Sequence, residues 1–269
     1  MSERLQVRKT YKLFIGGAFV RSESGRYDKA GEFNIPRGSR KDVRDAVAAA
    51  RKAQPGWAGR TAYNRGQILY RFAEALESRT ADIGAERADV EASIDVLVHY
   101  AGWTDKLQPV LGGINPVAAP FLSFSVPEPT GVVGIVAPDA PPLLGLIAEL
   151  APALASGNTV VAVLSDETPL PGLDLAEVMG IADVPGGVVN LLSGRRAELA
   201  PVLASHHALS AIVNASGELA ADIDRLAAES VTRVRHTTAP KDYATATADP
   251  LSRLEALTEL KTAWHPVGA

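Results

Sequence analysis

Apolar side chains recur at helical spacing through the first third of the chain. They lie three or four positions apart in three segments, where we predict helices: residues 39–54, 63–79 and 86–107. Ser39 followed by Asp42 is typical of a helix start, and Pro55 is expected to end the first helix. Before these helices, residues 12–20 are predicted to be extended, with a turn at Gly16.

The pattern changes after a proline-rich stretch. Residues 121–126 alternate apolar and small polar side chains, which is typical of a strand with one buried face. From Gly131 onward, short continuous apolar runs alternate with helical segments. The runs predict strands over 132–137, 159–164, 188–192, 211–214 and 231–235. The helices are predicted over 143–155, 173–179, 196–204 and 216–228, the last capped by Ser216. Strands joined by helices of this length predict an α/β fold with a doubly wound parallel sheet.

The domain organisation follows from a change in composition near the end. Residues 1–236 are predicted to form the α/β domain. Residues 237–250 are rich in Thr, Ala, Pro and Asp without periodicity, which predicts a linker. Residues 251–269 then form a short C-terminal tail.

Composition and charge narrow the class of protein. The 269 residues are 46% hydrophobic and 22% charged, so the chain can bury a sizeable core in one or two domains. No apolar run is long enough to span a bilayer, and the first residues lack the apolar segment of a secretory signal. We therefore expect a cytoplasmic protein. The net charge of -4 gives no reason to expect binding to nucleic acid or to a membrane.

The absence of cysteine excludes more kinds of site and mechanism than any other feature of the composition. The sequence has none, which excludes disulfides, thiolate metal sites and a cysteine nucleophile.

Several polar groups could carry chemistry, but each has a simpler interpretation. Glu91, Asp95 and His99 share a helix face at a spacing that could hold a metal, yet a solvated face is favoured and we expect no metal site. The glycines near Asn190 lack the spacing of a phosphate-binding loop and are expected to shape turns. Ser165 stands beside carboxylates without a nearby histidine base, so a polar loop is favoured. We therefore expect no catalytic residue.

The carboxyl ends of the predicted strands should still gather at one edge, where open α/β sheets bind ligands. Pro138, Asp139, Ser165 and Asn214 follow these strands. A residual pocket is expected there. The charges of Asp139 and Asp166 would disfavour a pyrophosphate.

A series of motifs resembles the aldehyde dehydrogenase superfamily in content and order. The motifs in the α/β region are Gly-Val-Val-Gly at 131–134, Ala-Pro-Ala-Leu-Ala-Ser-Gly-Asn-Thr-Val-Val at 151–161, Thr-Pro-Leu at 168–170 and Pro-Gly-Gly-Val-Val-Asn-Leu-Leu-Ser-Gly at 185–194. Segments 14–20 and 100–106 are similar to the family's opening strand and helix, and 260–264 to its last strand. The opening at 8–20 and the ending at 264–266 resemble the second, cysteine-less module of two-module members.

The resemblance implies a nicotinamide-dinucleotide-binding fold over 1–236, with an oligomerisation hairpin near 117–129 completed by the tail. It also implies a separate catalytic domain, which is missing here. Several family motifs that hold cofactor or stabilise an oxyanion are changed. The altered positions are Pro138, Asp139, Ala140, Val163, Asp166, Asn214, Ser216 and Gly217. Ala140 stands where the family has an oxyanion-binding asparagine, and Val163 where a lysine bonds ribose. We expect no cofactor, and NAD or NADP only if this altered site still binds.

These observations leave three hypotheses. The first is a non-catalytic subunit that supports assembly of a cysteine-bearing aldehyde dehydrogenase. The second is a divergent NAD(P)-linked oxidoreductase that works without a cysteine. The third is a self-associated protein that binds a small molecule. The partner is accordingly a catalytic subunit or a second copy of the chain.

Overall fold

The structure is a computed structural model that describes residue 7 and residues 9–267. The first residues of the predicted domain, position 8 of the opening motif and the last two residues of the tail lie outside the described residues.

The described residues form twelve strands, ten α-helices and one 3₁₀ helix (Thr80–Asp82). The strands are β1 (Leu13–Ile15), β2 (Ala18–Val20), β3 (Tyr27–Ala30), β4 (Phe33–Pro36), β5 (Gly113–Asn115), β6 (Phe121–Pro129), β7 (Val132–Val136), β8 (Thr159–Val163), β9 (Val189–Leu192), β10 (Ala211–Asn214), β11 (Arg233–His236) and β12 (Thr258–Pro266). The helices are α1 (Arg40–Ala58), α2 (Ala62–Ser78), α3 (Arg87–Ala101), α4 (Leu107–Leu111), α5 (Pro142–Ala155), α6 (Leu170–Met179), α7 (Arg196–Ala204), α8 (Ala220–Ala228), α9 (Tyr243–Ala246) and α10 (Pro250–Glu255).

Seven strands form the main sheet, in the order β11-β10-β7-β8-β9-β1-β2. Strands β7 to β11 run parallel to one another, so the predicted doubly wound sheet is confirmed. Strands β1 and β2 add an antiparallel edge, with Phe14 opposite Leu191. Helices α1 and α7 pack on one face, and α5 and α6 pack on the other, which explains why the central strands are continuously apolar.

Three helix ends differ from the prediction. Helix α1 continues past Pro55 to Ala58, because buried Trp57 anchors the last turn by donating its indole N–H to the Leu154 carbonyl at 3.2 Å. Helix α3 ends at Ala101 rather than near 107, and the following residues turn before α4 begins. Helix α8 begins at Ala220 rather than beside Ser216, because the Ser216 hydroxyl bonds Asn214 in the loop after β10.

A second, three-stranded sheet stands apart from the first; we call it the small sheet. Its order is β12-β6-β5, and β12 pairs antiparallel with β6 along nine residues, from Thr258 opposite Pro129 to Pro266 opposite Phe121. The C-terminal tail therefore pairs with the hairpin of its own chain. That hairpin begins at Gly113, slightly before the predicted range.

The segment predicted to be a linker, 237–250, is folded onto the domain. Asp242 caps the single turn of α9, Ala246 is buried, and the Tyr243 ring packs edge-on against His99 with 6.2 Å between centroids. In α10, the guanidinium of Arg253 lies 2.5 Å from the carboxylate of buried Glu149 in α5. These contacts order the segment in a way that its composition does not reveal. Among the described residues, no helix is long and apolar enough to cross a membrane.

Candidate functional site at the carboxyl edge of the main sheet

The crevice of an open α/β sheet lies at its carboxyl edge, where the connections that leave two adjacent parallel strands lead to opposite sides. Here β7 is central, with β8 and β9 on one side and β10 and β11 on the other. The loops that follow β7, β8 and β10 meet at this point, as the sequence predicted. The Ser165 hydroxyl, after β8, donates to a carboxylate oxygen of Asp139, after β7, at 2.5 Å.

The centre of this edge is Arg196, which the sequence analysis missed. It is the first residue of α7 and only 2% exposed. Its guanidinium lies 2.5 Å from Asp139, 3.0 Å from Glu218 and 3.7 Å from Asp166, and it also donates to the Ala137 carbonyl at 3.3 Å. We call Arg196 and these three carboxylates the Arg196 cluster. A cation at the first position of a helix opposes the helix dipole, and this signal could have indicated that Arg196 has a specific acidic partner.

Arg196 and Asp139 stabilise each other's charged forms, although the single cation of the cluster faces three carboxylates. Burial alone would raise the pKa of Asp139, but the bonds from Arg196 and the Ser165 hydroxyl outweigh it and lower that pKa below its usual range. Burial opposes the charge of Arg196, while its bonds to Asp139 and Glu218 raise its pKa. The sequence analysis expected Asp139 and Asp166 to add negative charge at this edge, and the structure places the guanidinium of Arg196 2.5 Å and 3.7 Å from their carboxylates.

Among the described residues, no histidine forms a hydrogen bond with the Ser165 hydroxyl. The Ser165 hydroxyl donates to ionised Asp139 and accepts from the backbone N–H groups of Glu167 and Thr168, at 3.1 and 2.9 Å. Its hydrogen bonds fix the loop after β8. This geometry fits the predicted polar loop rather than a nucleophile.

The loop after β10 folds back on itself. The Ser216 hydroxyl donates to the side-chain oxygen of Asn214 at 2.7 Å, and the Asn214 amide donates to the Glu218 carbonyl at 2.7 Å. Gly217 takes a φ of 75°, which permits the tight turn. The predicted cap of α8 by Ser216 is wrong, because its hydroxyl is engaged within this loop.

The other altered positions offer no groups that would hold a cofactor. Val163 is fully buried and packs in the apolar cluster that includes Val136 and Leu192. Pro138 is buried beneath the start of α5, where a Cβ on Gly145 would come within 2.3 Å of its ring. Ala140 is exposed and has no side-chain hydrogen-bond donor.

A nicotinamide dinucleotide does not fit the residues at this edge. A bound dinucleotide needs an open crevice and donors for its ribose and pyrophosphate groups. The Arg196 guanidinium instead bridges the loops after β7, β8 and β10, and its donors bond carboxylates of the same chain.

The remaining candidates have structural contacts. Asn190 is buried; it accepts from the Gly16 N–H at 2.8 Å and donates to the Val160 carbonyl at 3.1 Å, so it joins β1 to the parallel strands. His99 accepts from the Trp103 indole N–H at 3.1 Å, and Glu91 pairs with Arg87 at 2.7 Å. In the part of the chain that the structure describes, no group of three or more acidic or histidine side chains is placed to hold a metal.

Comparison with known proteins gives consistent matches. Residues 27–249 match the sequence model of the Aldehyde dehydrogenase family. An aldehyde dehydrogenase of Aspergillus niger is 36% identical over 203 residues, which are 68% of this chain and 40% of that protein. The cytosolic 10-formyltetrahydrofolate dehydrogenase of Mus musculus is 35% identical over 216 residues, which are 71% of this chain and 24% of that protein.

Solved structures show the same likeness in three dimensions. PnpE from Pseudomonas sp. WBC-3 superposes with a TM-score of 0.79 at 28% identity, covering 86% of this chain and 51% of its own. The NAD+ complex of an aldehyde dehydrogenase from Bacillus cereus superposes with a TM-score of 0.77 at 29% identity, covering 85% and 50%. The chain thus spans about half the length of these structures, and less than half of the two sequence relatives above.

Proposed function

The chain belongs to the aldehyde dehydrogenase family, and we propose that it is a non-catalytic member that assembles with a cysteine-bearing aldehyde dehydrogenase. The observation that carries this proposal is the small sheet, which is complete in a chain that has no cysteine. Residues 237–257 join β11 directly to β12, so no catalytic domain lies between them.

The small sheet exposes apolar side chains on both faces. Directly opposed residues of an antiparallel pair share a face, so Ile114 lies beside Phe124, with Leu122 two residues along β6. On the other face, the rings of Phe121 and Trp264 stand 6.0 Å apart. Ile114 is 77% exposed and Trp264 is 60% exposed. A cluster of this kind is typical of a surface that another protein covers.

The outer edge of β12 is a second feature that favours assembly. Strand β12 is terminal in the order of the small sheet, so within the described residues nothing pairs with its other side. A nine-residue edge presents unpaired backbone donors and acceptors, and such an edge accepts a strand from another chain. The partner would extend the small sheet and cover its apolar faces.

The chain alone is not expected to oxidise an aldehyde or to bind a nicotinamide dinucleotide tightly. Oxidation of an aldehyde through a thiohemiacetal requires a thiolate, and the sequence supplies none. The guanidinium of Arg196 is engaged by carboxylates of the same chain, so neither NAD nor NADP is expected to bind at this edge with micromolar affinity. Calorimetric titration with each dinucleotide tests this, and a low-micromolar dissociation constant for either would contradict it.

Co-expression tests the assembly. The tagged chain is produced together with each cysteine-bearing aldehyde dehydrogenase of the same genome, beginning with any encoded beside it. We expect one of them to co-purify as a complex of defined mass by light scattering. The chain produced alone is expected to self-associate or to be poorly soluble, because its apolar sheet faces lack cover.

Substitutions on the small sheet give the matched comparison. Changing Leu122→Asp and Phe124→Asp together should abolish the complex and leave the α/β domain folded by circular dichroism. Ile181→Asp introduces one such charge at a position of similar exposure, 47%, in the turn after α6, and should leave the complex intact. A well-behaved monomer that ignores every candidate partner would show that the proposal is wrong.

A further inference from the structure

A basic cavity that shares no residue with the Arg196 cluster lies between α1 and the turn that follows α7. Its volume is about 440 Å³. Four nitrogen-bearing side chains line it: Arg44, Arg51, Lys52 and His206. The rest of its lining is apolar, with the buried side chain of Val47 beneath. We call this the basic pocket.

The three cations of the basic pocket have no acidic partner among the described residues. No carboxylate lines the cavity, and neither Arg44, Arg51 nor Lys52 takes part in an ion pair with a described residue. Lys41, earlier on the same helix, shows the contrast because it pairs with Asp45 at 3.0 Å and with Glu23 at 3.8 Å. Three unpaired cations around one cavity stand out in a chain whose net charge is -4.

His206 adds a hydrogen-bond donor. Its Nδ1 accepts the backbone N–H of Ala208 at 3.2 Å, which places the proton of the neutral ring on Nε2. Burial, followed by the charges of His207, Arg44 and Arg51, lowers the pKa of His206, so the ring stays neutral at pH 7. The pocket therefore presents three cationic groups and one neutral N–H donor.

We propose that the basic pocket binds the phosphate or pyrophosphate group of a small molecule. Guanidinium groups match phosphate oxygens in a bidentate manner, and lysine adds a point charge. The volume lies in the range of small-molecule sites. The cations converge on one cavity rather than spreading over an extended stripe, which disfavours a nucleic acid as the occupant. The site shares no residue with the small sheet, so it goes beyond the proposed assembly function and does not depend on it.

Titration with inorganic pyrophosphate tests the proposal. The wild-type chain should bind it in low salt, and more weakly as the salt concentration rises, because exposed charges are screened. The paired change Arg51→Gln with Lys52→Gln should weaken binding by about tenfold or more, as expected when charged hydrogen bonds are lost. Lys41→Gln removes a cation from the same helix outside the pocket and should bind as the wild type does.

Two further measurements distinguish a loss of pyrophosphate binding from a failure of assembly and from unfolding of the variant. The Leu122→Asp and Phe124→Asp variant should bind pyrophosphate as the wild type does, so failure of the assembly proposal leaves this one standing. Thermal unfolding without ligand checks that the pocket variant is folded. Three results would overturn the proposal: no pyrophosphate binding by wild type at millimolar concentration, equal affinity in the pocket variant, or equal affinity for malonate.

Discussion

At the scale of single residues, the buried guanidinium of Arg196 holds together three loops that leave different strands. Its partners are unequally exposed: the side chain of Asp139 is 28% exposed and that of Glu218 is 63% exposed. Their charges are partly solvated, while the cation itself is almost wholly removed from water. The cluster is therefore asymmetric, and the cation depends on its partners more than they depend on it.

We expect Arg196→Met to lower the free energy of unfolding by about 2 kcal/mol. Removing one member of a buried ion pair typically costs about 3–5 kcal/mol, and the partial exposure of the carboxylates reduces this. Urea unfolding at pH 7 measures the change. Arg195→Met is the control, since Arg195 is 55% exposed and its pair with Asp28 spans 3.7 Å. Equal effects of the two substitutions would contradict a stabilising role for the cluster.

The lowered pKa of Asp139 predicts a loss of stability in acid. A carboxyl group whose pKa is lower in the folded than in the unfolded chain stabilises the fold above about pH 4, and this contribution disappears as the pH falls through the folded value. Asp139→Asn should be less stable than wild type at pH 7 and lose less stability between pH 5 and pH 3. Urea unfolding across this range measures it. Parallel losses in the two proteins would refute the assignment.

Single residues also show what the sequence could predict. Topology placed Asp139, Ser165 and Asn214 at one edge, because the ends of parallel strands must meet there. It did not place Arg196, whose long side chain reaches back from a helix start into the crevice. Periodicity describes where a residue sits, and it does not describe how far a flexible side chain extends.

At the scale of elements, a buried ion pair helps to fasten the C-terminal segment to the domain. Arg253 of α10 contacts Glu149 of α5 at 2.5 Å and donates to the Ala148 carbonyl at 3.2 Å. Glu149 is only 1% exposed. Helix α10 leads within a few residues to β12, so this pair helps set where the last strand begins.

Arg253→Ala should destabilise the protein by about 3–5 kcal/mol, because it leaves the carboxylate of Glu149 buried without its cation. Urea unfolding gives the magnitude, and proteolysis of residues 237–257 should become faster if the segment detaches. Arg225→Ala removes an arginine that is 64% exposed and should have little effect. An Arg253 variant as stable and as protease-resistant as wild type would exclude this role.

The elements that the sequence predicted best are those with long periodic patterns. Helix α2 and strands β7 to β10 match their predicted ranges closely, because their apolar spacing follows from burial alone. The sequence did not predict helices α9 and α10, because they are short and depend on capping by Asp242 and Asp249. The sequence also did not predict that α1 continues past Pro55, because a tertiary contact of Trp57 supports this last turn.

At the scale of the whole molecule, we expect the purified chain to show no aldehyde oxidation with NAD or NADP. The sequence lacks the thiolate, and the guanidinium of Arg196 at the carboxyl edge is engaged by carboxylates of the same chain. The absorbance of reduced cofactor measures turnover, with a cysteine-bearing aldehyde dehydrogenase as the positive control. Cofactor-dependent turnover that follows the chain through purification, clear of host enzymes, would contradict the expectation.

The fold class was predictable because the order of motifs constrains the sheet. The family's motifs and the apolar runs agree on the same strands, and the structure places those strands side by side. The resemblance implied a hairpin completed by the tail, and in the structure β12 pairs with β6 of the same chain. The local sequence of β12 does not specify it, because exposed strand edges can pair in several ways.

The small sheet also fixes an order of folding. The hydroxyls of Ser125 and Thr262 lie 2.8 Å apart although 137 positions separate them along the chain. On the ribosome, β6 emerges long before β12, and the parallel strands between them can close first through shorter loops. The edge of β6 therefore stays open until β12 has been synthesised. Two nascent copies that meet in this interval can exchange β12, so we expect an intertwined dimer among the misassembled forms of this chain.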